Sequence, residues 1–110
     1  MEMKIKTEKY ERMTLEEFAI LHDLTLCVCE NYSESRLYYS AYFKDVEVVG
    51  LINKDSFAGT GETPTWAIRE YTKNISTRLV VLITIAPITG EKMQRLIRCP
   101  LFINKEGKVL

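Results

Sequence analysis

Gly59-Thr60-Gly61-Glu62-Thr63-Pro64-Thr65-Trp66-Ala67 decides how this chain is organised. Two glycines around a threonine predict a strand near 55–60 that feeds a turn over 59–63. Thr63 suits a helix N-cap, because its hydroxyl can accept from an orphan amide of the first turn. Pro64 suits the first helical position, where a missing N–H costs nothing. Ala67, Ile68, Tyr71 and Ile75 then recur on one helical stripe, with Trp66 at its edge. Arg69, Glu70, Lys73 and Asn74 lie mainly on the other face. The spacing predicts a helix from Pro64 to about Ser76.

Upstream, Thr14-Leu15-Glu16-Glu17 is a capping box in which Thr14 caps and Glu17 reaches back. With Leu15, Phe18, Ala19 and His22 at helical spacing, it predicts a helix over about 14–22. Leu24, Leu26 and Val28 alternate with Thr25, Cys27 and Cys29, the period of a strand. Asn31 to Ser35 is turn chemistry, and the aromatic run Leu37 to Phe43 returns as the second strand of a hairpin. Val46, Val48 and Val49 favour extended structure, whereas Gly50 and Asn53-Lys54-Asp55 favour turns. Downstream, Leu79 to Ile85 is a continuous apolar run rich in β-branched residues, the mark of a strand buried on both faces or at a sheet centre. Ala86 to Lys92 reads as a loop. Leu96, Arg98 and Phe102 belong to a last strand ended or interrupted by Pro100. Met3, Ile5 and Thr7 alternate with Lys4 and Lys6, so residues 1–12 read as an edge strand or a flexible N-terminus.

These elements predict one α+β domain over 1–110: a mostly antiparallel sheet with two helices on one face, ordered α-β-β-β-α and followed by a β-hairpin. The core covers 14–76 and the added strands 78–103. At 110 residues the chain buries roughly 60–70% of its unfolded surface, so it needs no metal or disulfide to fold. Fifteen basic and fifteen acidic residues cancel, which disfavours nucleic acid as a partner without excluding a local patch. Three cysteines is an odd number, and Cys27 and Cys29 sit too close along one strand to pair, so reduced thiols are expected. The opening MEMKIKTEKYERM is too polar for a signal peptide, and Leu79–Ile85 is too short to span a membrane. A cytoplasmic protein with no membrane contact is the expectation.

Leu15, Glu17-Phe18 and Leu24, then Tyr39, Ala41 and Phe43, then Gly59, Gly61, Thr63 and Ala67 together resemble the double-stranded-RNA-binding-domain fold over about residues 14–76. The chain also resembles small proteins encoded by bacteriophages and prophages, with a glycine turn, Thr-Pro and an Ala-Ile-x-x-Tyr helix. That likeness would place it in the host cytoplasm. By topology alone it is similar to antitoxins of the HicB type. In RNA-binding members, lysines open the final helix and meet phosphates across the groove. Here those positions hold Pro64 and Thr65. The helix end keeps its amides and dipole, but loses the contacts that supply most affinity for the backbone.

Other candidate sites weaken on inspection. Cys27, Cys29, Cys99 and His22 could form a Cys₃His zinc site only if the fold gathered them, and C-x-C is not the usual knuckle spacing. His22 could serve as a base for a cysteine nucleophile, but a histidine at a helix C-terminus is favoured there anyway. The 59–63 segment lacks the Gly-Lys-Ser/Thr of a phosphate loop and the third glycine of a dinucleotide fingerprint. No metal, cofactor or catalytic set is therefore expected. On the second strand, Tyr38, Ser40 and Tyr42 share one face, opposite Leu37, Tyr39, Ala41 and Phe43. Tyr38 and Tyr42, with Thr63, Pro64, Thr65, Trp66, Arg69 and Lys73, are the binding candidates. The expectation is a non-enzymatic module that docks on a protein in an accessory, regulatory or inhibitory role. The alternatives are a binder of duplex or structured RNA and an antitoxin-type module. The apolar Leu79–Ile85 strand also suggests a homodimer, because such a strand near an edge invites pairing.

Overall fold

The computed structural model describes residues 10–50 and 57–110. The expected strand over the first residues lies mostly outside these, as do the turn at Asn53-Lys54-Asp55 and the start of the strand near 55–60. The described elements run β1 (Arg12–Met13), α1 (Leu15–Leu21), β2 (Leu26–Ser33), β3 (Arg36–Phe43), β4 (Val46–Val48), β5 (Gly59–Gly61), α2 (Pro64–Ile75), β6 (Leu79–Ile85), β7 (Lys92–Arg98) and β8 (Leu101–Phe102). The fold is α+β.

The strands divide into two antiparallel sheets, β2-β3-β5 and β4-β6-β7, and a short parallel pair, β1-β8. The added strands therefore build a second sheet rather than extending the first. β4 belongs to that second sheet: β3 passes through Lys44 and Asp45, the latter at φ +60°, and its continuation pairs with β6. Leu79–Ile85 lies at a sheet centre, between β4 and β7, so its backbone is paired on both sides. Its two faces differ, with Val80 and Leu82 buried and Ile85 exposed.

Both helix starts follow the local chemistry. Thr14 and Thr63 cap α1 and α2, accepting from the Glu17 and Trp66 amides at 3.2 and 3.1 Å. At α1, the Thr14 hydroxyl also donates to the Glu17 carboxylate at 3.2 Å. The turn expected over 31–35 is shorter: Asn31, Tyr32 and Ser33 continue β2, and Glu34-Ser35 alone close the hairpin. Both have positive φ, +51° and +67°, as a two-residue type I′ connection requires.

Phe18 of α1, Ala41 and Phe43 of β3, Ala67, Tyr71 and Ile75 of α2, Val80 and Leu82 of β6, Cys99 and Phe102 form one buried cluster. The Phe43 ring lies 5.6 Å from that of Tyr71 and 6.2 Å from that of Phe18, and Phe18 meets Phe102 edge-on at 5.4 Å. Thr72, outside the expected stripe, is also buried, with its hydroxyl donating to the Ile68 carbonyl at 2.6 Å.

The glycines that prompted a turn are themselves the strand. Gly59 and Gly61 pair with Ala41 and Tyr39 on the edge of the first sheet, and neither has a positive φ. Their role is close approach. A β-carbon on Gly59 would lie against the Ala67 carbonyl oxygen and the Tyr71 amide nitrogen, and one on Gly61 against the Trp66 side chain. Side-chain-free positions let α2 settle directly on the strand.

Candidate functional site

The binding candidates occupy three separate places. Thr63, Pro64, Thr65 and Trp66 are exposed at the start of α2, where the Arg69 guanidinium carbon lies 5.6 Å from the Trp66 ring centroid. That contact can contribute roughly 0.5–1 kcal/mol at an exposed site. It also places the first cation of this helix on an aromatic face.

Tyr38 and Tyr42 lie on the opposite face of the first sheet from α2, because α2 covers the side that carries Ala41 and Phe43. With Ser40 and Thr60 they floor a broad groove of about 1340 Å³, whose other wall includes Val46 and Ile83 of the second sheet. Asn31 donates to the Ser40 hydroxyl at 2.9 Å and to the Cys29 carbonyl at 3.2 Å, and the Cys29 sulfur lies 3.9 Å from the Tyr42 hydroxyl. The added strands thus wall part of the face that carries the two tyrosines.

Lys73 lies at the far end of α2, away from the other candidates of that helix. It joins Arg78, Arg98 and Phe57 around a cleft of about 650 Å³. The Arg78 guanidinium lies 5.5 Å from the Phe57 ring centroid, and Arg98 donates to the Thr77 carbonyl at 2.8 Å. Thr77 itself sits at φ +62°, uncommon for a β-branched residue. No sequence signal foretold this grouping, since Arg98 arrives from β7 only through tertiary pairing.

The cysteines and the histidine are not gathered. Cys27 and Cys29 are half-buried on the groove face of β2, whereas Cys99 is buried in the core. Among the described residues, no three His, Cys, Asp or Glu side chains group as metal ligands would. Burial pushes the Cys99 thiol up to about 12, the reverse of the depression that makes a thiolate nucleophile. Arg95 places an N–H on His22 Nδ1 at 2.8 Å. Arg only donates, so Nδ1 is the acceptor and the ring is neutral with its proton on Nε2. Burial first, and the Arg95 charge second, hold its pKa below 6.5.

A further apolar row, which shares Ile83 and Ile85 with that groove, lies on the strand that the sequence singled out only for self-pairing. On the outward face of the second sheet, Val81 stands opposite Leu96, and Ile83 and Ile85 continue the row along β6. Ile85 is 66% exposed and Leu96 61%, while Val81 and Ile83 are half-buried. The alternation Leu79-x-Val81-x-Ile83-x-Ile85 was its signal, hidden because Val80 and Leu82 between them are apolar too.

Comparison with protein-family models, curated proteins and solved structures yields no match to this chain. No helix among the described residues is long and apolar enough to cross a membrane.

Proposed function

We propose that this chain is a non-enzymatic binding module that docks on another protein, in an accessory, regulatory or inhibitory role. The observation that carries this reading is the apolar row Val81, Ile83, Ile85 and Leu96, of which Ile85 and Leu96 are exposed and Val81 and Ile83 half-buried. Scattered apolar side chains need no explanation, but a contiguous group on a regular sheet face favours a partner surface. Burying each methylene there is worth roughly 0.8 kcal/mol. The neutral, engaged His22 and the buried Cys99 thiol weigh against a base–nucleophile pair. In the same reading, β2, β3 and β5 stand for the three strands of the duplex-RNA-binding shape, with both helices over one face.

Structured RNA has one observation in its favour, the cations Lys73, Arg78 and Arg98 around one cleft. They lie at the C-terminal end of α2, whereas the resemblance places phosphates at its N-terminal end.

Affinity capture from the source cells, with the wild-type chain and with Ile85→Glu combined with Leu96→Glu, tests the reading. A small set of proteins retained by the first and lost with the second is expected, with melting temperatures alike. Retention of the same proteins by both forms would refute it. Titration with duplex RNA at about 50 and 200 mM salt decides the alternative, because phosphate contacts weaken steeply over that range. Only non-specific affinity is expected.

A further inference from the structure

From the edge of β7 that no strand among the described residues pairs with, we infer that this surface takes an acidic, extended segment of the partner protein as an added strand of the second sheet. The inference rests on the protein-binding reading and names where and how the partner binds.

The hydrogen-bond register defines the edge. Cys99 donates to the Arg78 carbonyl, directly opposite it, and Ala86 donates to Glu91, also opposite. In an antiparallel pair, bonded positions alternate, so the odd-numbered residues of β7 face β6. On the other side of the sheet, Ile83 donates to the Asp45 carbonyl, so the odd residues of β6 face β4. The N–H and C=O groups of Lys92, Gln94, Leu96 and Arg98 consequently point away from β6. Among the described residues, no strand pairs with this side of β7. The strand is seven residues long, enough for several rungs.

Charge selects the occupant. Lys92, Arg95 and Arg98 make β7 a strand with three cations and no acidic side chain. Basic residues on an edge discourage pairing with copies of the same strand. Self-pairing centred on Arg95 would set Lys92 against Arg98 and Arg95 against itself, and like charges directly opposite are unfavourable. An acidic strand reverses that penalty. Lys92, Gln94, Leu96 and Arg98 also share the outward face, where Leu96 adjoins the row of Val81, Ile83 and Ile85. The fitting segment therefore carries carboxylates opposite Lys92 and Arg98 and an apolar residue opposite Leu96.

The test uses the full chain and a blocked, dye-labelled peptide whose residues on one strand face run Glu, Val, Thr, Glu, with threonines between them, and the same peptide with lysine in place of each glutamate as control, read by fluorescence anisotropy. The glutamate peptide should bind, weaken with salt, and shift the amide resonances of Lys92, Gln94, Leu96 and Arg98 most. The lysine peptide should bind at least about tenfold more weakly, a difference of about 1.4 kcal/mol. Gln94→Pro removes an outward N–H without touching the β6 ladder, so the chain should fold and lose about tenfold in affinity. Lys92→Glu should narrow the preference for the glutamate peptide and tests the same edge independently of proline. Equal binding of the two peptides, no effect of either substitution, or a homodimer that Gln94→Pro dissolves would each overturn the inference. None of these substitutions alters Ile85 or Leu96. Failure of the peptide test with capture still lost in the Ile85→Glu, Leu96→Glu protein would sink the edge alone and leave the protein-binding reading standing.

Discussion

Gly59→Ala should be among the most damaging one-carbon changes in this chain. A methyl there would press on the Ala67 carbonyl oxygen and the Tyr71 nitrogen, and would stand 2.8 Å from Tyr71 Cα. These are backbone atoms of a twelve-residue helix and cannot rotate aside. The helix must lift from β5, opening the packing of Ala67 and Tyr71 against Ala41 and Phe43. Overpacking typically costs about 1–3 kcal/mol. Rigid neighbours put Gly59→Ala near the upper end, even after the roughly 0.4–1 kcal/mol that alanine gains by stiffening the unfolded chain. A loss of about 3 kcal/mol corresponds to a melting point lower by roughly 10–20 °C in a domain near this size. Gly61→Ala meets only the Trp66 side chain, whose indole is 51% exposed and can turn aside with Cγ, leaving the 2.8 Å contact with the fixed Cβ to be relieved by a small backbone shift. It should cost about 1 kcal/mol. Trp66→Ala should recover much of that loss and none of the loss at Gly59. Urea and thermal unfolding followed by far-ultraviolet circular dichroism, with unchanged m, measure the three single variants and the two doubles with Trp66→Ala. Wild-type melting in Gly59→Ala, or equal rescue of both glycine variants by Trp66→Ala, would refute the close approach of α2 to β5.

Three further outcomes follow from the same geometry. His22 is held below its usual pKa of 6.5 by burial and by Arg95, so the unfolded chain protonates first; the stability it contributes is present above about pH 6.5 and lost as pH falls below it. Urea midpoints at about pH 7.5 and 5.5 should separate more in the wild type than in His22→Asn, and equal separation would exclude the histidine. Cys99, raised from 9.0 to about 12 by burial, contributes stability below pH 9 that is lost as pH climbs toward 12; a disulfide reagent at mild pH should modify Cys27 and Cys29 in the folded chain and reach Cys99 only on unfolding. Pro64→Lys with Thr65→Lys places two cations on an exposed helix start and should raise duplex-RNA affinity about tenfold or more at moderate salt; a folded variant with no gain would leave the resemblance one of sequence pattern alone.

Much of the fold was legible where local chemistry decides it. Thr14 and Thr63 announced both helices, and the alternation of Leu24, Leu26 and Val28 announced β2. The hairpin turn was misjudged because Glu34-Ser35 carries none of the usual Gly, Asn or Asp, so left-handed backbone was not signalled. The glycines at 59 and 61 were read as turn formers, since a strand that admits a helix this closely is defined by its neighbour rather than by its own residues. The scatter of the binding candidates was not legible: Trp66 and Tyr42 are separated by the thickness of a sheet, and Lys73 finds Arg98 only when β7 is in place. Val46, Val48 and Val49 favour extended structure without naming the strand they pair with, and only long-range pairing assigns β4 to the second sheet.

That change of sheet at Lys44-Asp45 imposes an order on folding. The β2–β3 hairpin closes through two residues and can form from neighbours in sequence within about 1–10 μs. β4 cannot follow it, because Val46 pairs with Leu82, on the far side of β5 and α2 in sequence. Such a non-local contact bears its loop-closure cost before it gives any return, and slows the last stage of folding. At a synthesis rate of about 5–20 residues per second, β4 waits a few seconds for β6 to leave the ribosome. During that interval it is the kind of open-edged segment that recruits wrong partners. Its brevity, three residues with Glu47 in the middle, limits that danger. Lengthening β4 or replacing Glu47 with valine should raise losses to aggregation on the way to the finished fold.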